Sequence, residues 1–239
     1  MNEERLYSLI REKEQTAAAA FPALMRKVYV WMTLALVITG LTAFGVANSP
    51  GILTALLTNR ALFWGLIIAQ LALVWYVSAR IMSLSLVSAT MVFVLYSVLN
   101  GVMLSSIFVI YTMTSIASVF FITAGTFAVM SLAGYFTKTD LSPMGRVLFM
   151  LLIGIVIATL VNVFLLKDTG FGLILSYVGV LIFVGLTAYD TQKIKRMLVL
   201  ADDVTEDAQK IALLGSLTLY LDFINLFLYL LRIFGGNRE

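Results

Sequence analysis

The sequence predicts an all-α polytopic membrane protein with seven transmembrane helices, on three observations: its composition, the lengths of its uncharged runs and the placement of its turn residues. Of 239 residues, 61% are apolar and only 12% charged, with a mean hydropathy of +1.01. A soluble domain carries roughly a quarter charged residues, so water is not the main solvent of this chain. A helix crosses the hydrocarbon with about 20 apolar residues, and counting uncharged runs therefore counts spans.

The first run covers residues 28–59, and the turn signal Asn48, Ser49, Pro50, Gly51 ends its helix near Ala47. The second covers 61–79. Residues 81–137 hold no charge at all, which is too long for one crossing and enough for two, divided near the hydroxyl cluster Tyr111, Thr112, Thr114, Ser115. A fifth span covers 147–166, a sixth 173–191 and a seventh about 211–231. The expected organisation is an N-terminal tail over 1–27, a seven-helix transmembrane domain over 28–234 and a short tail over 235–239.

Seven crossings place the termini on opposite sides of the membrane, and the basic residues choose the orientation. With the N-terminus inside, the inner segments hold Arg5, Arg11, Lys13, Arg26, Lys27, Arg80, Lys138, Arg146, Lys193, Lys195, Arg196 and Lys210; the outer ones hold Arg60, Lys167, Arg232 and Arg238. Twelve against four favours a cytoplasmic N-terminus. Glu3, Glu4, Arg5, Arg11, Glu12, Lys13 and Glu14 precede the first long apolar run, unlike the short basic lead of a cleavable secretory signal. The basic residues form no continuous face, which argues against a nucleic-acid partner. With no cysteine and no histidine, disulfides, thiolate sites and the commonest metal ligand and general base are all missing. No cofactor is expected; the partner is the lipid bilayer.

Charge inside a span is the informative exception, since a charged group at the bilayer centre costs about 2.5–3.5 kcal/mol even on insertion scales. Asp190 ends the sixth apolar stretch, on a small and polar face made by Ser176, Gly179, Phe183, Thr187 and Asp190. On the seventh span Gly215, Thr218, Asp222, Asn225, Tyr229 and Arg232 recur at three- and four-residue spacing, a stripe that must face protein or water. Spans joined by one loop are natural neighbours, so the two carboxylates are expected to meet. A close, poorly hydrated pair prefers to share one proton and titrate as a unit, and when ionised it offers hard oxygen ligands suited to Ca²⁺. The competing account has each Asp merely bonding to neighbouring helices.

Arg80, at the inner end of the second span, either latches onto Asp190 in one state or snorkels as a positive-inside anchor. Asn100 with Tyr96 and Ser97, and Asn162 with Thr159, are read as interhelical hydrogen-bonding groups. The acidic run Asp202, Asp203, Glu206, Asp207 is read as capping the seventh helix and complementing its dipole. Residues 7–21 carry too many charges and alanines for strong amphipathic membrane binding.

The segments Thr187-Ala188-Tyr189-Asp190-Thr191-Gln192 and Leu219-Tyr220-Leu221-Asp222-Phe223-Ile224-Asn225-Leu226-Phe227, with the closing Leu230-Leu231-Arg232-Ile233-Phe234-Gly235, resemble the characteristic segments of the transmembrane Bax inhibitor motif family. The resemblance covers nearly the whole chain beyond the N-terminal tail. It implies six helices surrounding a central seventh, and a pH-responsive Ca²⁺ leak in which Asp190 and Asp222 form a di-aspartyl proton sensor; the same two carboxylates are the expected Ca²⁺ site. It also implies an arginine latch near the inner end of the second helix, for which Arg80 is the candidate. Thr218, Asn225 and Tyr229 are then polar positions along the pore. The expected location is a bacterial inner membrane.

Two other classes compete. A proton-coupled cation exchanger would use the same carboxylates to bind Ca²⁺ and protons alternately. An intramembrane aspartyl protease would use them as a dyad that activates water, but Asp222 follows Leu219-Tyr220-Leu221 rather than Gly-x-Gly, and no Pro-Ala-Leu segment follows. Metalloprotease and rhomboid chemistry need histidine, so the chain is not expected to be an enzyme.

Overall fold

In lipid the backbone has no water to bond to, so each crossing segment must satisfy its own amides as helix. The computed structural model, which describes residues 3–201 and 203–236 and, in the N-terminal part, side chains at Arg5 and from Ala19 onward, follows that rule throughout. Its helices are α1 (Glu3–Ala47), α2 (Pro50–Thr58), α3 (Arg60–Arg80), α4 (Leu86–Leu104), α5 (Ile107–Ile110), α6 (Met113–Phe136), α7 (Ser142–Val161), α8 (Thr169–Val199) and α9 (Glu206–Phe234). Among the described residues, seven apolar stretches are long enough to cross a membrane: Ala19–Ala47, Arg60–Ser83, Leu86–Ile110, Met113–Phe136, Ser142–Leu166, Thr169–Val199 and Glu206–Phe234.

The turn signals act at the expected places. Helix α1 ends at Ala47, and the long uncharged stretch breaks at Tyr111 and Thr112. Helix starts are fixed by side-chain caps: Asn59, Ser85, Thr112, Asp168 and Thr205 each accept an amide of the first turn. Three expectations need correction. The cap of α9 is Thr205 rather than the acidic run; Glu206 and Asp207 sit in the first turn, and Glu206 Oε1 also accepts the Leu86 amide at 3.1 Å, tying α9 to the start of α4. Asn162 bonds within its own turn rather than between spans: it donates to the Asp168 carbonyl and accepts the Asp168 amide, closing the α7–α8 connection where Lys167 takes a left-handed φ of 53°. Helix α8 continues past Asp190 to Val199, so that carboxylate lies inside a helix, not at its end. Asp202 and Arg238 lie outside the described residues.

Helix α9 is the most buried of the crossing helices. Of its most apolar window 67% is buried, against 6% for the second span and 11% for the fifth. It packs on α1, α4, α6 and α8, and meets the second span through Ile81–Ser83. Helix α3 leans on α4, and α7 on α8. Tyr220 anchors the packing on the α1 and α4 side. Its hydroxyl accepts from Asn100 Nδ2 at 2.7 Å and bonds to Thr39 Oγ1 at 2.7 Å, while Thr39 donates onward to the Ser97 carbonyl at 2.9 Å. The rings of Phe93 and Tyr96 meet that of Tyr220 edge-on. Tyr220→Phe strands the Asn100 amide, and should lower stability by on the order of 1 kcal/mol. Thermal unfolding in detergent measures it, with Asn100→Leu in the Tyr220→Phe background recovering part of the loss.

At one end of the bundle, α8 clamps the α6–α7 connection. Gln192 accepts the Leu141 amide and donates to the Thr139 carbonyl, and Arg196 pairs with Asp140 at 2.7 Å. The Ser142 amide and hydroxyl, with the Arg196 guanidinium, pull the Asp140 carboxyl down to about 2. A lowered folded-state value means that this contact contributes stability above the ordinary carboxylate range near pH 4 and loses it as the pH falls toward about 2. Asp140→Asn should therefore lower the melting temperature slightly near neutrality and flatten the acid side of its pH profile over that window. The pair is exposed, so the effect is small.

Candidate functional site

Successive residues around Asp190 face different neighbours, because a helix turns about 100° per residue. Ala188 lies against Gly134 of α6, where a Cβ on the glycine would collide with the Ala188 backbone. The Tyr189 ring occupies the space left by Gly145 of α7. Thr191 shares a hydrogen bond with Ser131 of α6 at 3.1 Å, and Ser131 shares another with Tyr29 of α1 at 2.6 Å. Asp190 faces α9.

On α9 the same division holds. Tyr220 points to α1 and α4 as above, and Phe223 packs against Phe120 and Phe127 of α6. Asp222 meets Asp190. The two carboxyls lie within hydrogen-bonding reach of one another, with Asp190 8% and Asp222 5% exposed. Asp222 Oδ2 is the one buried side-chain polar atom among the described residues with no hydrogen-bond partner.

Both carboxyls line a cavity of about 890 Å³ bounded by α7, α8 and α9. Thr218, Asn225 and Tyr229, the predicted polar stripe, line it too. Their polar atoms are partly spent on the helix: the Thr218 hydroxyl donates to the Leu214 carbonyl and Asn225 Nδ2 to the Leu221 carbonyl, which leaves the Asn225 side-chain oxygen as an acceptor. At one end stand Arg146 and Lys193. At the other the Tyr229 ring fills the space left by Gly179 beside Phe183, its hydroxyl near Thr159 of α7, with Arg232 set against Gly172 and Asn162.

Of the other sequence candidates, Ser176 and Thr187 bond to their own helix carbonyls and do not open on the cavity. Arg80 is exposed at the end of α3, away from the cavity lining. The cations near Asp190 in this conformation are Lys193 and Arg146. Lys193 was legible as a near neighbour in sequence; Arg146 comes from another helix, and no spacing in the chain links it to Asp190. No group of three or more carboxylates that would form a metal cage occurs among the described residues.

A profile of the family described as "Inhibitor of apoptosis-promoting Bax1" matches residues 22–239. The chain belongs to the Bax inhibitor family. Among its relatives, the "Inner membrane protein YbhL" of Escherichia coli is 55% identical over 92% of this chain and 94% of its own length. An uncharacterised protein of Borreliella burgdorferi is 46% identical over 90% and 92%, and the uncharacterised protein RP147 of Rickettsia prowazekii 41% identical over 95% of each. This member of the Bax inhibitor family is thus an integral multi-pass membrane protein, similar to a protein named for the inner membrane. Neither the family description nor these relatives' names denotes an enzyme.

Proposed function

We propose that this protein is a pH-sensitive Ca²⁺ leak channel whose gate is the Asp190–Asp222 pair. The reading rests on one observation: two buried carboxyls within hydrogen-bonding reach, opening on a cavity between α7, α8 and α9 that Thr218, Asn225 and Tyr229 also line, with Asp222 Oδ2 left without a partner. A shared proton leaves the pair with one charge and a closed hydrogen bond. Loss of that proton yields two repelling carboxylates that a divalent cation neutralises. With only two carboxylates, the site suits a transiently bound ion that must leave again rather than a resident one. The Asn225 carbonyl supplies a further oxygen. In this reading the N-terminus is cytoplasmic, so Arg146 and Lys193 guard the inner mouth, and Arg80 reaches Asp190 only in a conformation that moves the end of α3 inward.

The same carboxylates favour a second reading, a proton-coupled exchanger. Purified protein in Ca²⁺-loaded liposomes separates the two. A leak moves Ca²⁺ only down its own gradient and carries no proton in return, whereas an exchanger takes protons inward as Ca²⁺ leaves and is driven against the Ca²⁺ gradient by an imposed proton gradient. Ca²⁺ flux that does not exceed that of protein-free liposomes from about pH 6 to about pH 8 would remove both.

A further inference from the structure

Helices α1 and α6 both rest on α9, and between them runs an apolar cleft of about 610 Å³. This lies within the range of roughly 300–1,000 Å³ typical of ligand sites. Met32 and Leu36 of α1, Ala128 and Phe136 of α6 and Phe223 of α9 form its walls. It runs along two membrane-crossing stretches, and it ends at Tyr135 and Phe136, the last residues of the fourth span. Inside a bilayer the apolar walls alone select nothing, because a chain entering the cleft leaves surroundings that are equally apolar. Selection has to come from the polar end.

That end is basic. Lys195 of α8 stands over the Tyr135 ring, 4.8 Å from its centroid, and donates to the Tyr135 carbonyl at 2.7 Å. This uses one of its three N–H donors. Lys138 is exposed two residues beyond Phe136, and the nearest acid in that connection, Asp140, is already paired with Arg196. Tyrosine and lysine together at a span's end match the headgroup level of a bilayer. We propose that this cleft is a binding site for one anionic phospholipid, its acyl chain between α1 and α6 and its phosphate at Lys195. The cleft also contains Tyr29 and Ser131, whose hydrogen bonds run on to Thr191, so the lipid is linked to α8 one residue from Asp190.

The test uses the full chain in detergent micelles, titrated with phosphatidylglycerol or with phosphatidylcholine of the same acyl chains, and read by native mass spectrometry. The expected result is a single saturable phosphatidylglycerol retained at least about fivefold more tightly than phosphatidylcholine, as one basic contact at an anionic headgroup implies. Lys195→Gln keeps a donor for the Tyr135 carbonyl and removes the charge, and should reduce that preference to near unity with the melting temperature unchanged. Ala128→Trp fills the cleft and should remove the bound lipid. Equal retention of the two lipids by the unmodified chain overturns the proposal, and so does a preference that survives Lys195→Gln. Several equivalent phosphatidylglycerol molecules in place of one saturable ligand also overturn it, since they indicate a general basic surface. None of these readouts depends on Ca²⁺ transport.

Discussion

Asp222→Asn is expected to flatten the dependence of Ca²⁺ flux on pH between about 6 and about 8 and to reduce flux at the alkaline end on the order of tenfold. Asparagine has the shape of aspartate and can still hydrogen-bond to Asp190, so the α8–α9 contact survives. What disappears is the second ionisable group, and with it, in the proposed gate, both the shared proton and the doubly charged state that attracts a divalent ion. Asp190→Asn should give the same result from the opposite helix. The decisive measurement is the double variant: two residues that act as one unit give non-additive effects, so Asp190→Asn with Asp222→Asn should be little worse than either alone. If both single variants transported Ca²⁺ with the original rate and pH profile, the carboxylates would be packing groups and the gate would have to be sought elsewhere.

Gly134→Leu is expected to cost about 3 kcal/mol or more, enough to show as loss of folded protein on purification. A Cβ at this position would run into the carbonyl and Cα of Ala188, atoms of helical backbone that cannot rotate aside. Helices α6 and α8 would have to separate, breaking the Ser131–Thr191 contact and shifting the turn that carries Asp190. Gly125 provides the control. It lies on the same helix, and a Cβ added there would meet nothing within 4 Å, so Gly125→Leu should leave stability within about 0.5 kcal/mol of the parent. Equal behaviour of the two variants in a thermal melt would remove the special status of the α6–α8 contact.

The elements of the bundle were largely legible in the chain because lipid imposes a blunt rule: an uncharged run of sufficient length becomes a crossing helix, and Asn, Ser, Pro and Gly at its end stop it. The Asp222 stripe was legible for the same reason, since a polar line along an otherwise apolar helix has no tolerable place against lipid. Other features were not. The chain's hydropathy falls where Lys193, Lys195 and Arg196 appear, yet α8 runs on to Val199, because Gln192 and Arg196 are engaged in holding the α6–α7 connection. Asn162 reads as an interhelical group in a span; a left-handed residue nearby, invisible in composition, makes it a turn-closing one. Arg146 reaches the cavity mouth only because Gly145 lets α7 settle on Tyr189, a contact between residues far apart in the chain.

Helix α7 seats itself along α8 and faces α9 across the cavity, where Thr159 stands near the Tyr229 hydroxyl. A barrel stave held along one edge can swing without loosening its fellows. In the proposed gate, the seam between α7 and α8 is where the cavity would widen, with α1, α4, α6 and α9 packed together as a frame.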